Sequence, residues 1–149
     1  EPKKAFEKAI NNSNKVAMSL SDLFCVERHK PHFLELVKSK LDITFANEQE
    51  IMSLIDAKNF EEVINFAKDI DKLIVITRGE KGAVAVNKKE TVECSAKDNL
   101  KIKDLTGAGD LFAAGFLHGL INNNSTKESL DIGTEMSSKV IQIIGARLN

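Results

Sequence analysis

The sequence predicts an α/β fold in which a mostly parallel sheet carries helices on both faces. Two observations lead to this prediction. Short apolar runs of strand length recur along the chain, the clearest being "KLIVIT" at 72–77. Between them lie segments whose apolar residues have helical spacing, such as "NFEEVINFAKDI" at 59–70. Strands that alternate with helices form parallel sheets with helices on their faces, joined by right-handed crossovers.

The first 55 residues are predicted to supply helices and strands in turn. "EPKKAFEKAI" (1–10) has the pattern of a helix, and the apolar run "KVAMSL" (15–20) that of a buried strand. "VERHKPHFLELVKSK" (26–40) places its apolar residues at helical spacing. "LDITFAN" (41–47) alternates and contains β-branched side chains, which predicts a second strand. "EQEIMSLI" (48–55) predicts a short helix.

A hairpin and two helices are expected after the strand at 72–77. "GAVAVN" (82–87) and "TVECSA" (91–96) straddle "KKE", a pattern typical of two antiparallel strands. The helices are expected from about 110 to 122 and from about 126 to 144.

The helix after Asp110 is apolar or small at every position except His118. Such a composition predicts a helix that is buried all round. Ala114, Gly115 and Gly119 would allow another element to pack closely against it.

Composition and charge argue against several classes of protein. The 149 residues are 42% apolar and 29% charged, which is typical of a soluble globular domain. The formal net charge of −1 argues against a nucleic-acid partner or an anionic membrane surface. No apolar run approaches the roughly 20 residues of a membrane span. Cys25 and Cys94 lie far apart, which indicates reduced thiols and a cytoplasmic location.

Three polar clusters lie at the ends of predicted strands or loops: "FANEQE" (45–50), "TRGEKG" (77–82) and "DLTGAGD" (104–110). Ligands of open α/β sheets bind beyond the carboxyl ends of the strands. We therefore expect the three clusters to contribute to a ligand site.

The "DLTGAGD" cluster has the features of an anion site. Gly107 and Gly109 let backbone N–H groups approach a ligand closely, and a helix that begins near residue 109 would direct its positive end at the same point. Asp110 could then accept a proton from a hydroxyl that attacks phosphorus. The alternative is that Asp110 is only a helix N-cap worth about 1 kcal/mol. Phe112 stands where a dinucleotide fingerprint needs a third glycine, and Asp110-Leu111 stand where a Walker loop needs Lys-Ser/Thr, so both motifs are excluded.

The other two clusters also allow a purely structural interpretation. Thr77 and Gly79 could meet a nucleotide phosphate, but "TRGEKG" could equally be a glycine-rich connection between strands. Asn47 and Glu50 could hold waters around Mg²⁺, which prefers oxygen ligands and keeps much of its hydration. The same spacing is that of a helix capping box.

Taken together, the clusters resemble the ribokinase-like, or pfkB, carbohydrate kinases. "DLTGAGDLFAAGF" (104–116) is similar to the C-terminal signature of that family, and "TRGEKG" to its Thr-x-Gly-x-x-Gly motif. Asn47 and Glu50 match its Asn-x-x-Glu magnesium motif. Residues 19–50 are more similar to the adenosine-kinase-like branch, and "KVIQIIGAR" (139–147) to the usual ending. The resemblance implies a ribokinase-like three-layer fold.

The resemblance implies ATP-dependent phosphoryl transfer to a primary hydroxyl of a sugar or nucleoside, with adenosine favoured. Asp110 would be the base that activates the hydroxyl. The backbone N–H groups of Gly107, Ala108 and Gly109 would form the anion hole for the γ-phosphoryl.

The resemblance also assigns ligand contacts and metals. Thr77 and Gly79 would contact the ATP phosphates, and the adenine is expected near Gly133 and Thr134. Asn47 and Glu50 would act on Mg²⁺ through water. A monovalent cation, K⁺, is implied at Asp104 and Thr106, with Gly145 near it.

The chain departs from the family in its extent. It begins at Glu1 with helical residues and without an initiator methionine, so we expect a piece of a longer polypeptide. The N-terminal half of the family, with its Gly-Gly substrate motif and β-sheet lid, has no counterpart here. Residues 1–149 are thus expected to be the C-terminal, ATP-binding and catalytic portion of a kinase domain. Such a portion should be a poor enzyme alone, and the full-length protein could form a homodimer through its lid.

Two alternatives remain at this point. The chain could be a nucleotide-binding or partner-completed module without catalytic activity. The signature could also belong to a hydroxymethylpyrimidine-type kinase, although residues 19–50 argue against that interpretation.

Overall fold

The computed structural model describes residues 2–148, and their side chains from Lys4 onwards. The strands in this range are β1 (Ala17–Ser19), β2 (Ile43–Asn47), β3 (Leu73–Thr77), β4 (Ala83–Val86) and β5 (Thr91–Cys94). The helices are α1 (Pro2–Asn11), α2 (Leu23–Arg28), α3 (Lys30–Glu35), α4 (Glu48–Leu54), α5 (Phe60–Ile70), α6 (Ala108–Ile121) and α7 (Thr126–Val140). A π-helical turn at Leu36–Lys40 follows α3, and a 3₁₀ turn at Gly79–Lys81 follows β3. In the described range, no helix is long and apolar enough to cross a membrane.

The five strands form one sheet in the order β1-β2-β3-β4-β5. The β1–β2 and β2–β3 pairs are parallel, whereas β4 is antiparallel to both β3 and β5. Four of the five strands therefore run in one direction, and β4 alone of these runs in the other. The predicted α/β fold and the predicted hairpin at 82–96 are both confirmed.

Alternating side chains of the sheet divide the core into two layers. In β3, Ile74 and Ile76 belong to a cluster that includes α4 and α5, whereas Val75 belongs to the cluster under α6 and α7. On this second face Phe45 of β2 meets Phe116 of α6 edge to face, with ring centroids 5.6 Å apart. Helices cover both faces of the sheet, as the sequence predicts.

Several element boundaries differ from the sequence predictions. Within residues 2–148, the run at 15–20 forms a strand of three residues at the edge of the sheet, and the first of these residues is exposed. The predicted helix at 26–40 begins earlier, at Leu23, and is broken at His29. Pro31 lies in the first turn of α3, where its missing N–H costs nothing. The last helix ends at Val140 rather than near residue 144.

The prediction that α6 is buried all round is wrong. Ala114, His118 and Ile121 lie at helical spacing on an exposed stripe, and Ile121 is 78% exposed. The opposite stripe is buried against the sheet and α7. Gly119 allows that contact, since a Cβ there would come within 2.5 Å of the Ser129 hydroxyl oxygen of α7. The sequence composition misled here because Ala114 is small enough for either environment and Ile121 is exposed as the last residue of α6.

Candidate functional site

The site is built at the edge of the sheet where β2 and β3 end. Asn47 and Thr77 are register partners as the last residues of these parallel strands. A cleft of about 660 Å³ begins at Thr77 and extends toward the α6–α7 face. Its lining brings two of the predicted clusters together, because it includes Thr77 and Gly79 as well as Ala108 and Gly109. Glycine residues keep side chains out of this part of the cleft.

The turn before α6 presents main-chain donors to the cleft. Gly107 adopts φ +78°, a left-handed conformation, and holds the N-cap position of α6. The Ala108 N–H donates to the Leu105 carbonyl at 3.2 Å, and the Leu111 N–H to the Gly107 carbonyl at 3.0 Å. Within the described residues, the Gly109 N–H has no acceptor. A Cβ on Gly109 would meet nothing within 4 Å, so the space in front of it is open.

Asp110 is the third residue of α6, and its side chain is exposed. Residues 2–148 provide no hydrogen-bond donor for its carboxylate. The alternative that Asp110 serves as the helix N-cap is wrong, because the chain already becomes helical at Ala108 and Gly107 holds the cap position. The carboxylate thus stands unpaired at the positive end of a 14-residue helix.

Asn47 and Glu50 form a capping box, which was one of the two roles that the sequence allowed for them. The Glu50 N–H donates to Asn47 Oδ1 at 2.8 Å, and the Asn47 N–H donates to Glu50 Oε2 at 2.9 Å. Asn47 Nδ2 also donates to Glu50 Oε1 at 3.1 Å. Both carboxyl oxygens of Glu50 are therefore engaged, and the residue is only 6% exposed. Burial raises the pKa of Glu50 above its usual value, and nearby Asp22 adds to the rise.

This geometry suits contact with Mg²⁺ through water better than direct ligation, since Asn47 is exposed while Glu50 is buried behind it. Across residues 2–148, no three His, Cys, Asp or Glu side chains are grouped so that they could ligate a metal directly.

The "TRGEKG" turn is held by its own backbone. The Arg78 N–H donates to the Gly82 carbonyl at 2.8 Å, and the Gly82 N–H donates to the Gly79 carbonyl at 3.1 Å. Gly79 and Gly82 have φ +58° and +88°. A Cβ on Gly82 would also lie 1.9 Å from the Cys94 carbonyl oxygen, so only glycine fits there. The turn exposes Thr77 and Gly79 to the cleft.

The Asp104 carboxylate joins the "DLTGAGD" loop to the end of the chain. Its Oδ1 accepts hydrogen bonds from the Thr106 N–H and hydroxyl at 2.9 and 2.7 Å. Its Oδ2 accepts one from the Gly145 N–H at 3.0 Å. These hydrogen bonds lower the pKa of Asp104. Asp104, Thr106 and Gly145 are thus neighbours, as the resemblance implies, and they border the Gly107 turn.

The far wall of the cleft was largely missed by sequence reasoning, which had named only its Thr134, as a neighbour of the adenine. Part of it is the segment 96–105, which connects β5 to α6 and carries the exposed side chains of Ile102 and Leu105. The rest comes from α7, whose Thr134 and Ser137 line the cleft. The signal in the sequence that could have indicated this wall is the presence of apolar residues in the otherwise polar segment 96–105. Gly133, which was expected beside the adenine, instead packs on Phe112 of α6.

Comparisons with known proteins agree with this arrangement. The model of the "pfkB family carbohydrate kinase" family matches residues 3–149. An ATP-dependent 6-phosphofructokinase of Thermoanaerobacterium thermosaccharolyticum is 30% identical over 115 residues, which cover 76% of this chain and 35% of the relative. The adenosine kinase of Sinorhizobium meliloti superposes with a TM-score of 0.93 and 38% identity, covering 98% of this chain and 46% of that structure. A probable sugar kinase from Rhizobium etli gives 0.92 and 37%, covering 99% and 46%.

The chain therefore spans about a third of the curated relative's length and less than half of each of these two solved structures. The two solved structures match 98% and 99% of this chain, whereas the match to the curated relative covers 76% of it. The chain belongs to the pfkB family of carbohydrate kinases.

Proposed function

We propose that residues 1–149 are the C-terminal, ATP-binding and catalytic portion of a kinase that phosphorylates a primary hydroxyl of a sugar or nucleoside. The observation that carries the proposal is the unpaired Asp110 carboxylate at the start of α6, directly after the open Gly107–Gly109 turn. Family membership supports the reaction class. The 38% identity to an adenosine kinase supports adenosine as the acceptor to test first.

Asp110 is proposed as the general base. Its side chain is exposed and free of hydrogen bonds within residues 2–148, so it is able to approach an acceptor hydroxyl. Proton removal makes that oxygen a better nucleophile as the γ-phosphoryl leaves ADP, and Asp110 holds the proton. A group committed to capping the helix could not do this without breaking the cap.

The anion hole is proposed at the N–H groups of Gly107, Ala108 and Gly109. The Gly109 N–H is free, and the α6 N-terminus adds its positive dipole end. The Ala108 N–H already donates to the Leu105 carbonyl, so it has to rotate away from Leu105 or share that bond in order to contribute. Preorganised main-chain donors of this kind stabilise charge on a transferring phosphoryl group.

ATP is proposed to lie in the cleft with its phosphates toward Thr77 and Gly79. Mg²⁺ would supply neutralisation of the phosphate charge, and Asn47 and Glu50 would hold its waters. K⁺ is proposed beside Asp104 and Thr106. The Asp104 carboxylate already organises this loop through its three hydrogen bonds.

The alternative is a nucleotide-binding or partner-completed module. It is favoured by the openness of the site, because no described residue covers Asp110 or encloses an acceptor. Phosphoryl transfer normally requires that water be excluded, which a lid or a partner would have to supply. For the same reason we expect residues 1–149 alone to transfer phosphate poorly. A homodimer of the full-length protein would be one source of such a cover.

The test is ADP formation by the full-length protein with adenosine, ribose or fructose, beside Asp110→Asn and residues 1–149 alone. Asp69→Asn is a matched control, because Asp69 is exposed on α5, on the other face of the sheet. We expect one acceptor to support turnover and Asp110→Asn to lose about 100-fold or more in kcat while still binding ATP. Equal turnover by the wild type and Asp110→Asn would rule out the base. ATP binding without transfer to any acceptor would favour the module.

A further inference from the structure

The side chain of Arg78 joins three elements behind the cleft. Its Nε and Nη2 donate to the two carboxylate oxygens of Glu48 at 3.2 and 3.1 Å. The centre of its guanidinium also lies 3.6 Å from the centroid of the Phe60 ring. Arg78 follows the last residue of β3, Glu48 is the first residue of α4, and Phe60 is the first residue of α5.

The position of Arg78 argues against direct contact with ATP. The cleft is lined by Thr77 and Gly79 on either side of it in sequence, but not by Arg78 itself. The side chains of Arg78 and Glu48 are only 18% and 26% exposed, and Glu48 neutralises the guanidinium charge. The hydrogen bonds from Arg78 lower the pKa of Glu48, which keeps the partner ionised.

The contact connects the two predicted clusters at the strand ends. Glu48 follows Asn47, and Arg78 follows Thr77, so the ion pair continues the register pair Asn47–Thr77 beyond the sheet. A bidentate contact between an arginine and a carboxylate fixes the orientation of the two groups as well as their distance, which a lysine cannot do. Its stacking on Phe60 removes the remaining freedom of the guanidinium plane.

We infer that Arg78 is a positioning residue, which fixes the ATP-binding turn at Thr77 and Gly79 relative to the magnesium pair Asn47 and Glu50. This inference rests on the proposed function. If Arg78 has this role, both the affinity for ATP and the dependence on Mg²⁺ depend on the ion pair between Arg78 and Glu48. Loss of either partner, Arg78 or Glu48, should therefore disturb both properties together.

The opposing assignment is that Arg78 binds a phosphate of ATP directly and pairs with Glu48 only while ATP is absent. The two assignments differ in what happens when Glu48 is changed. If Arg78 positions the turn, Glu48→Gln is as harmful as Arg78→Lys. If Arg78 binds phosphate, Glu48→Gln frees the guanidinium and leaves ATP affinity unchanged or improved.

The experiment measures KM for ATP, kcat and the Mg²⁺ concentration at half-maximal rate in the full-length protein. The variants are Arg78→Lys, Glu48→Gln, their combination, and Lys68→Met as a control for loss of an exposed cation on α5, outside the turn. We expect each single variant to raise both KM for ATP and the Mg²⁺ requirement roughly 10- to 100-fold, with a smaller change in kcat. The combination should add nothing to either single change, and Lys68→Met should resemble the wild type.

Amide hydrogen exchange gives a second readout that needs no nucleotide. Without the bidentate contact between Arg78 and Glu48, the Gly82 and Asn47 amides should exchange faster in Arg78→Lys and Glu48→Gln at unchanged Tm. Three results would overturn the positioning role. These are unchanged amide exchange, effects on KM that multiply when the two substitutions are combined, and a normal KM for ATP in Glu48→Gln. If the two variants exchange faster but the wild-type protein binds no ATP, the proposed function is overturned instead.

Discussion

Gly115 of α6 and Gly133 of α7 lie in direct backbone contact. A Cβ on Gly115 would come 2.9 Å from the Gly133 Cα and 3.0 Å from the Ile132 carbonyl oxygen. A Cβ on Gly133 would in turn lie 2.7 Å from the Phe112 carbonyl oxygen. The two helices that flank the cleft can approach this closely only because both positions lack a side chain. Phe112 of α6 and Thr134 of α7 both line the cleft, so this close approach of the helices positions part of its wall.

We predict that Gly115→Ala destabilises the protein. Alanine has a better helix propensity by up to about 1 kcal/mol, but overpacking against a fixed backbone costs roughly 1–3 kcal/mol. The second effect should dominate, because the atoms in the way are main-chain atoms of α7 and not a flexible side chain. Urea unfolding measures the loss. Gly109→Ala is the control, since a Cβ there meets nothing within 4 Å, and its stability should not fall. Equal stability of Gly115→Ala and wild type would mean that the helices separate at no cost.

Ser129→Ala should have the opposite sign. The Ser129 hydroxyl is fully buried between α6 and α7 and has no hydrogen-bond partner within the described chain. An unsatisfied buried hydroxyl costs free energy, so its removal should raise the free energy of unfolding by about 1 kcal/mol. In Ser138→Ala, by contrast, a 2.7 Å hydrogen bond to the Thr134 carbonyl is lost, and no gain is expected. If both variants lose stability alike in urea, Ser129 has a partner that this structure does not reveal.

The order of elements was predictable from the sequence because it depends on local patterns. Alternation identified β2, the apolar run at 72–77 identified β3, and the small gap at "KKE" identified the hairpin. The capping box at Asn47 and Glu50 was also predictable from their spacing, although spacing alone could not decide between this role and magnesium binding. Such signals need only neighbouring residues.

Other features depend on contacts between distant parts of the chain, and these were not predictable. Helix α6 begins at Ala108 and not near Asp110, because Gly107 adopts a left-handed conformation. The spacing of apolar residues cannot distinguish these two starting points. The cleft wall at 96–105 is held by contacts that are distant in sequence, because the Lys103 and Asp104 N–H groups donate to the Ile141 carbonyl just after α7. The pairing of Arg78 with Glu48 across 30 residues has no local signature.

Glu50 leads to a prediction about pH. Its pKa is raised in the folded protein, chiefly by burial, so the folded state binds a proton more tightly than the unfolded state. Above the ordinary pKa of a glutamate, this site therefore lowers stability as pH rises toward the raised value, and the penalty is constant beyond it. Glu50→Gln removes the titration and keeps an oxygen that can accept from the Asn47 N–H.

The quantity to measure is the stability of Glu50→Gln minus that of the wild type, by urea unfolding at several pH values. We expect this difference to increase from pH 4 to pH 7, since only the wild type has to bury a charge at the higher pH. The difference cancels the contributions of Glu48 and Asp104, whose pKa values are lowered and whose stability effects have the opposite sign. A difference that is flat or decreases with pH would show that the hydrogen bonds from Asn47 outweigh burial.

Asp104→Ala should loosen the glycine turn without unfolding the protein. The substitution removes the acceptor of the Thr106 and Gly145 amides, so both amides should lose protection in hydrogen exchange. The Leu111 amide, which donates to the Gly107 carbonyl inside α6, should stay protected. Asp98→Ala is the control, because Asp98 is an exposed acid of the same connection and no described donor bonds to its carboxylate. If Thr106 and Gly145 keep their protection, the main-chain bonds from Lys103 and Asp104 to Ile141 hold the loop, and the carboxylate is free to bind a cation.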